Sequence, residues 1–207
     1  MLAFTSSTIP LISQSVDFLS IMTYDLMNRR DSITKHHAGV KLADESITAY
    51  TSAGLEPEKA NIGFAFYVKW FKTTECVKGE EIGCETELME DPITGGDLGK
   101  AGAFSWHDAV PEELKASFSK AIQQAKWDGE GGGNYYWDEE ERIWWSWDGK
   151  ESIQGKCDII KKRGLGGAFA WALGEDGTKF SHLKLLNEEV EKLKEAKREE
   201  GMLRDEL

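Results

Sequence analysis

The chain has 207 residues, 40% hydrophobic and 30% charged, which describes a soluble globular protein long enough to bury one real core. Its 25 basic and 37 acidic residues give a net charge of −12. That excess argues against a nucleic-acid partner, whose binders need a basic footprint. No stretch approaches the roughly 18 apolar residues of a membrane-spanning helix, so no membrane partner is expected.

Residues 1–6 carry no basic region, and no continuous apolar run precedes Pro10, so no signal peptide is predicted. The apolar run that begins at Val16 reads as a buried strand over residues 16–24. It ends in Met22-Thr23-Tyr24-Asp25 and so delivers a phenol and a carboxylate to the rim of a sheet, where α/β folds hold their ligands. A polar loop follows, with Asn28-Arg29-Arg30-Asp31 and then His36-His37. Adjacent histidines do not share a helical face and read as loop residues. No metal-ligand spacing is visible, and no cofactor is expected. Residues 43–53 show helical spacing through Ile47 and Tyr50, closed by Gly54 and Pro57. Residues 61–67 form the next strand. Strand, helix and strand at this spacing make a βαβ unit with parallel strands and a right-handed crossover.

The alternation breaks from residue 68 to about 134. Cys76 and Cys84 flank a short loop and can close a small disulfide, which suggests an oxidising compartment. A helix opens at Pro111-Glu112-Glu113 and is predicted to bury Leu114, Phe118, Ile122 and Ala125. Two hairpin strands follow, Tyr135-Tyr136-Trp137-Asp138 and Ile143-Trp144-Trp145-Ser146-Trp147. The segment reads as an insertion on a βα loop. Eight tryptophans is a high count; most read as core packing, since each ring buries a large area.

Alternation resumes with a helix over residues 150–162, stopped at Gly164, and a strand over residues 166–172. That strand ends in Trp171-Ala172-Leu173-Gly174-Glu175-Asp176, with an aromatic and acids at the rim. Cys157 on the helix reads as a buried free thiol. A last helix from residue 181 to about 198 places Leu183, Leu186, Val190 and Leu193 on one face, with fraying expected after Glu199. The terminal Arg204-Asp205-Glu206-Leu207 resembles a retention signal that would go unread without a signal peptide.

Four motifs stand in one order: Met22-Thr23-Tyr24-Asp25; Gly63-Phe64-Ala65-Phe66-Tyr67; Trp147-Asp148 with Glu151-Ser152-Ile153 and Lys156; and Gly164-Leu165-Gly166-Gly167 running to Trp171. That order resembles the C-terminal part of the catalytic domain of glycoside hydrolase family 18, the chitinases, in a form similar to fungal members. The resemblance implies an α/β fold, a partial (β/α)8 TIM barrel holding about strands 6–8, with an α+β insertion after strand 7. Residues 1–186 would be the barrel part, with the insertion at about 68–134. Residues 187–207 would be the end of the terminal helix and a charged tail. A full barrel takes about 250 residues.

The resemblance also implies roles. Tyr24 would hydrogen-bond the acetamido group of the sugar at the cleavage site, and Asp25 would contact that sugar or its neighbour. Met22 would line the subsite, Trp171 would form its floor and Tyr67 a wall. Lys69 stands where the family commonly has Arg, so a bidentate contact to Asp25 becomes a point-charge contact. The implied chemistry is substrate-assisted retention on chitin or N-acetylglucosamine oligosaccharides, with the substrate's own acetamido oxygen as nucleophile.

The family's proton donor lies in an Asp-x-x-Asp-x-Asp-x-Glu motif, and these 207 residues contain none. Losing a general acid alone typically costs about 10²–10⁴-fold. The first expectation is therefore a barrel fragment, inactive alone, partnered by the N-terminal half-barrel. The alternatives are a non-catalytic carbohydrate-binding relative, and an interaction module using the terminal helix. The family is extracellular; for the fragment itself the sequence assigns no compartment.

Overall fold

The computed structural model describes residues 4–205. Residues 1–3 of the predicted leaderless start, and the last two of the retention-like tetrapeptide, lie outside the described residues.

Two sheets make up the fold. The first is parallel, with strands β1 (Leu19–Ile21), β2 (Ala60–Ala65) and β8 (Gly167–Trp171) in the order β1-β2-β8. Helices α1 (Ile9–Ser15), α2 (Val40–Ser52), α4 (Lys150–Arg163) and α5 (Ser181–Asp205) pack on it. Ile62 and Phe64 of β2 and Ala168 and Ala170 of β8 alternate along their strands. They meet Ile47, Ile153, Ile160 and Leu186 of the helices in the main core. The β1-α2-β2 unit is parallel, as the spacing predicts.

The strand predicted over residues 16–24 is shorter than expected, and its end is held differently. After Ile21 the chain turns, with Thr23 N bonded to Ile21 O (2.8 Å). Thr23 Oγ1 then takes over the pairing with β2, donating to Gly63 O (2.7 Å) and accepting from Gly63 N (2.9 Å). A side chain thus replaces the main-chain ladder at the point where the loop must leave.

The second sheet is antiparallel. It contains β3 (Tyr67–Lys72), β4 (Ala101–Ser105), β5 (Lys126–Asp128), β6 (Gly133–Asp138) and β7 (Ile143–Trp147) in the order β4-β3-β7-β6-β5. It therefore continues past residue 134 through both hairpin strands. Period-2 alternation sorts its aromatics: Ile143, Trp145 and Trp147 face helix α3 (Glu112–Gln123), while Trp144 joins Met27, Phe71 and Trp137 on the other side. Within α3, Leu114, Ser117 and Ala121 are buried. Ile122 lies one residue off that stripe and is exposed, and Ala125 lies beyond the helix end, both contrary to expectation.

Other boundaries shift less. Helix α2 starts three residues earlier than predicted and stops before Gly54, whose φ of 105° only glycine adopts readily. Helix α4 ends on Gly164 in the left-handed conformation, as its sequence signals. Helix α5 runs to Asp205 instead of fraying after Glu199, with Lys192–Glu189 and Lys194–Glu191 pairs along it. Cys76 and Cys84 are bonded, and Cys157 is a buried free thiol.

Candidate functional site

The carboxyl ends of β1, β2 and β8 meet the start of β3, and their side chains line one cleft of ≈ 510 Å³. Met22, Tyr24, Asp25, Tyr67, Lys69 and Trp171, all predicted from sequence, line it together. Thr23, anchored on Gly63, sets where Tyr24 leaves the sheet. A Cβ at Gly63 would sit 2.8 Å from Tyr24 Cε1, so the absent side chain makes room for the phenol ring. Asp25 has φ 56°, a left-handed conformation that Asp tolerates better than most residues. Leu26 N bonds to His37 O (2.9 Å), which pins the loop after the turn to the histidine pair.

Asp25 is the electrostatic centre of the cleft. Its Oδ1 accepts from Tyr67 Oη (2.7 Å) and from Lys69 Nζ (2.9 Å). Tyr67 opens β3 instead of closing β2. Burial and the Asp25 charge both push its phenol well above the usual range, and burial followed by Asp25 raises that of Tyr24. Both phenols are therefore protonated donors at neutral pH. The Tyr24 ring is wedged edge-on between Tyr67 and Phe169. Met22 and Trp171 stay open, 67% and 57% exposed, and offer apolar surface across from the polar groups.

His36 and His37 sit on the predicted loop but are buried. His37 Nδ1 lies 4.0 Å from Asp25 Oδ1, and its ring packs on Tyr67. Burial, reinforced by the charges of Lys69, Lys156 and His36, holds it well below the usual imidazole range. Among the described residues no group of three His, Cys, Asp or Glu side chains is placed to hold a metal ion.

Beneath the cleft lies a fully buried ion pair that the third sequence motif supplies. Lys156 Nζ donates to Asp148 Oδ2 (2.7 Å) and to the carbonyls of Thr23 and Gly63 (3.3 Å each). Asp148 Oδ2 also accepts from Ala65 N (2.9 Å), and its Oδ1 accepts from Ser152 Oγ (2.8 Å). Burial pulls the Lys156 ammonium down in pKa, and the Asp148 carboxylate works against that. One ammonium and one carboxylate thus tie together the segments that carry Tyr24, Asp25 and Tyr67.

The sequence reading missed Ser105 and Asp108, which reach the same cleft from the end of β4 and the loop after it. Hydrogen bonds from Ser105 hold the Asp108 carboxyl below the ordinary carboxylate range. Its hydrogen-bond partner Ser105 is local, and nothing in that short turn marks Asp108 as a cleft residue, because the other cleft residues come from segments far along the chain. Of the two acids expected at the β8 rim, Glu175 lines the cleft. Asp176 turns inward instead, accepting from Gly177 N, Leu183 N and His182 Nδ1 (2.8, 2.9 and 2.8 Å) at the start of α5. The cleft can hold a polar ligand with an apolar face: an open indole and thioether lie beside two phenols, an ammonium and several carboxylates.

A polar, aromatic-floored cleft at the carboxyl ends of parallel strands is the ligand-site class of α/β proteins. The family model for glycosyl hydrolases family 18 matches residues 3–176, and the chain belongs to that family. It is 28% identical over 195 residues to Chitinase A1 of Niallia circulans, covering 84% of this chain and 26% of that protein. It is 25% identical over 183 residues to an endochitinase of Brugia malayi, covering 83% and 34%. A chitinase structure from Rhizomucor miehei superposes with a TM-score of 0.70 at 21% identity, covering 86% of this chain and 55% of that one. A class V chitinase from Nicotiana tobaccum in complex with NAG4 gives 0.68 at 18%, covering 87% and 51%. The chain thus spans about a quarter to a third of these two relatives and about half of these two solved chains. At such identities the solved structures share its fold.

Proposed function

We propose that this chain is the C-terminal part of a fungal-type chitinase catalytic domain, and that its cleft binds N-acetylglucosamine oligosaccharides without cleaving them on its own. The observation that carries the reading is that one cleft gathers Met22, Tyr24, Asp25, Tyr67, Lys69 and Trp171. In this reading Trp171 stacks under the sugar and Tyr24 Oη donates to the acetamido oxygen. In the substrate-assisted reaction that contact would orient the attacking oxygen and steady the ring that forms. Asp25, held by Tyr67 and Lys69, accepts from the sugar or its neighbour. The proton donor is not among these residues, because the sequence contains no Asp-x-x-Asp-x-Asp-x-Glu run. The same absence favours a second reading, a non-catalytic chitin-binding relative.

The three parallel strands correspond in this reading to strands 6–8 of an eight-stranded barrel, with the antiparallel sheet as the insertion after strand 7. Among the described residues, strands β1 and β8 each pair on one side only, and no residue of β8 is fully buried. Their free edges are where the remaining strands dock, whether these belong to the same polypeptide or to another chain.

Calorimetric titration with the N-acetylglucosamine trimer tests the cleft. Saturable binding is expected, with little for the cellulose trimer, which lacks the acetamido group. Tyr24→Phe should weaken binding about 3- to 10-fold, the worth of one hydrogen bond. Equal affinity for both trimers, or an unchanged Tyr24→Phe variant, would overturn the assignment.

A further inference from the structure

Of the eight tryptophans, only two are exposed by more than a third: Trp171 in the cleft and Trp127 at 42%. Trp127 lies on β5, the outer strand of the antiparallel sheet, and borders a separate groove of ≈ 460 Å³ between α2 and α4. The cleft and this groove share no lining residue.

The groove is built and held. Its floor is Val40 with Gly132 and Gly155, and a Cβ at either glycine would approach Val40 to within 3 Å (2.6 and 2.9 Å). The turn after β5 is fixed by Asp128, whose carboxylate accepts from Gly131 N (2.9 Å), Glu130 N (3.0 Å) and His36 Nε2 (2.9 Å). The carbonyls of Gly132 and Gly131 then accept the first N–H groups of α2, from Val40 (2.9 Å) and Lys41 (3.1 Å). Trp127 therefore stands on a clamped turn, and little ordering is left to be lost on binding.

Charge sorts the ligand. Lys41 pairs with Glu130 (3.1 Å), and Asp44 takes a two-point contact from Arg163, so these four cancel. Among the described residues, no hydrogen bond or ion pair engages the side chains of Trp127, Asp158 or Lys162. What remains is one open indole, with one carboxylate and one ammonium that make no hydrogen bond or ion pair, over a glycine floor. That set is neutral overall, in a chain whose net charge is −12. It suits a neutral ligand with a flat CH face and ringed hydroxyls.

We propose that the Trp127 groove is a second saccharide site, which takes N-acetylglucosamine units of the same polymer on the helix side of the molecule. The choice of sugar rests on the reading of the cleft given above. Such a site would hold the chain on an insoluble polymer while the cleft engages one strand of it, and two linked contacts raise retention without raising the affinity of either.

The test follows the indole N–H signals of the ¹⁵N-labelled chain as N-acetylglucosamine tetramer is added. The Trp127 and Trp171 signals should both move, saturating independently. Trp127→Ala should leave the Trp171 response intact and lower retention on particulate chitin about 3- to 10-fold, the worth of one stacking contact. A still Trp127 signal beside a moving Trp171 signal would overturn the second site and leave the cleft reading standing. If Trp127 moves and Trp171 does not, the groove stands and the cleft reading fails. Equal Trp127 movement with maltotetraose would overturn the assignment to N-acetylglucosamine.

Discussion

Asp25 accepts two hydrogen bonds on one oxygen, and both donors, Tyr67 and Lys69, come from the strand that follows β2. The Lys69 contact was expected from the ordered family motif, whereas Tyr67 was read only as a wall of the cleft and its bond to Asp25 was not. Asp108 was not legible, because it enters the cleft from an irregular loop with no periodicity to place it. His37 was readable as a loop residue but not as a buried one. Its folded-state pKa lies below the unfolded value of about 6.5, because burial and nearby cations disfavour the imidazolium. The stability it contributes is therefore fully present above about pH 6.5 and is lost as pH falls, since only the unfolded chain takes up the proton. Each such histidine steepens acid destabilisation by at most about 1.4 kcal/mol per pH unit. His37→Phe should flatten the dependence of urea stability on pH between 7 and 5. Parallel profiles for the two proteins would remove His37 as a cause.

At the level of elements, sequence signals worked where the cause was local. Gly164 ends α4 in the left-handed conformation, and alternating aromatics build β7. They failed where a side chain from elsewhere did the work. β1 stops at Ile21 because Thr23 bonds across to Gly63, and β2 gives way to β3 where Asp148 accepts from Ala65 N. The Asp148–Lys156 pair is the joint between the two sheets and α4. Removing one partner strands a buried charge, at a typical cost of about 3–5 kcal/mol. Lys156→Met should lower urea stability by that amount, and adding Asp148→Asn should recover part of it by removing the stranded carboxylate. A loss under about 1 kcal/mol from Lys156→Met would mean that the pair does not hold the joint.

For the whole molecule, composition and the βαβ spacing pointed to an α/β fold, and family membership bears that out. The order β4-β3-β7-β6-β5 was not readable, because it pairs β3 with strands about 30 and 75 residues further along the chain, and no local pattern encodes which distant edge a strand joins. We propose that the molecule as a unit holds the acetamido side of a chitin-cleaving centre and not its proton donor. The most direct measurement incubates the 207-residue chain with N-acetylglucosamine hexamer and follows bound sugar and new reducing ends together. Saturable binding that Trp171→Ala weakens about 10-fold is expected, with reducing ends at the level of buffer alone. Turnover above buffer that Trp171→Ala abolishes would contradict it, since a proton donor would then lie within these residues.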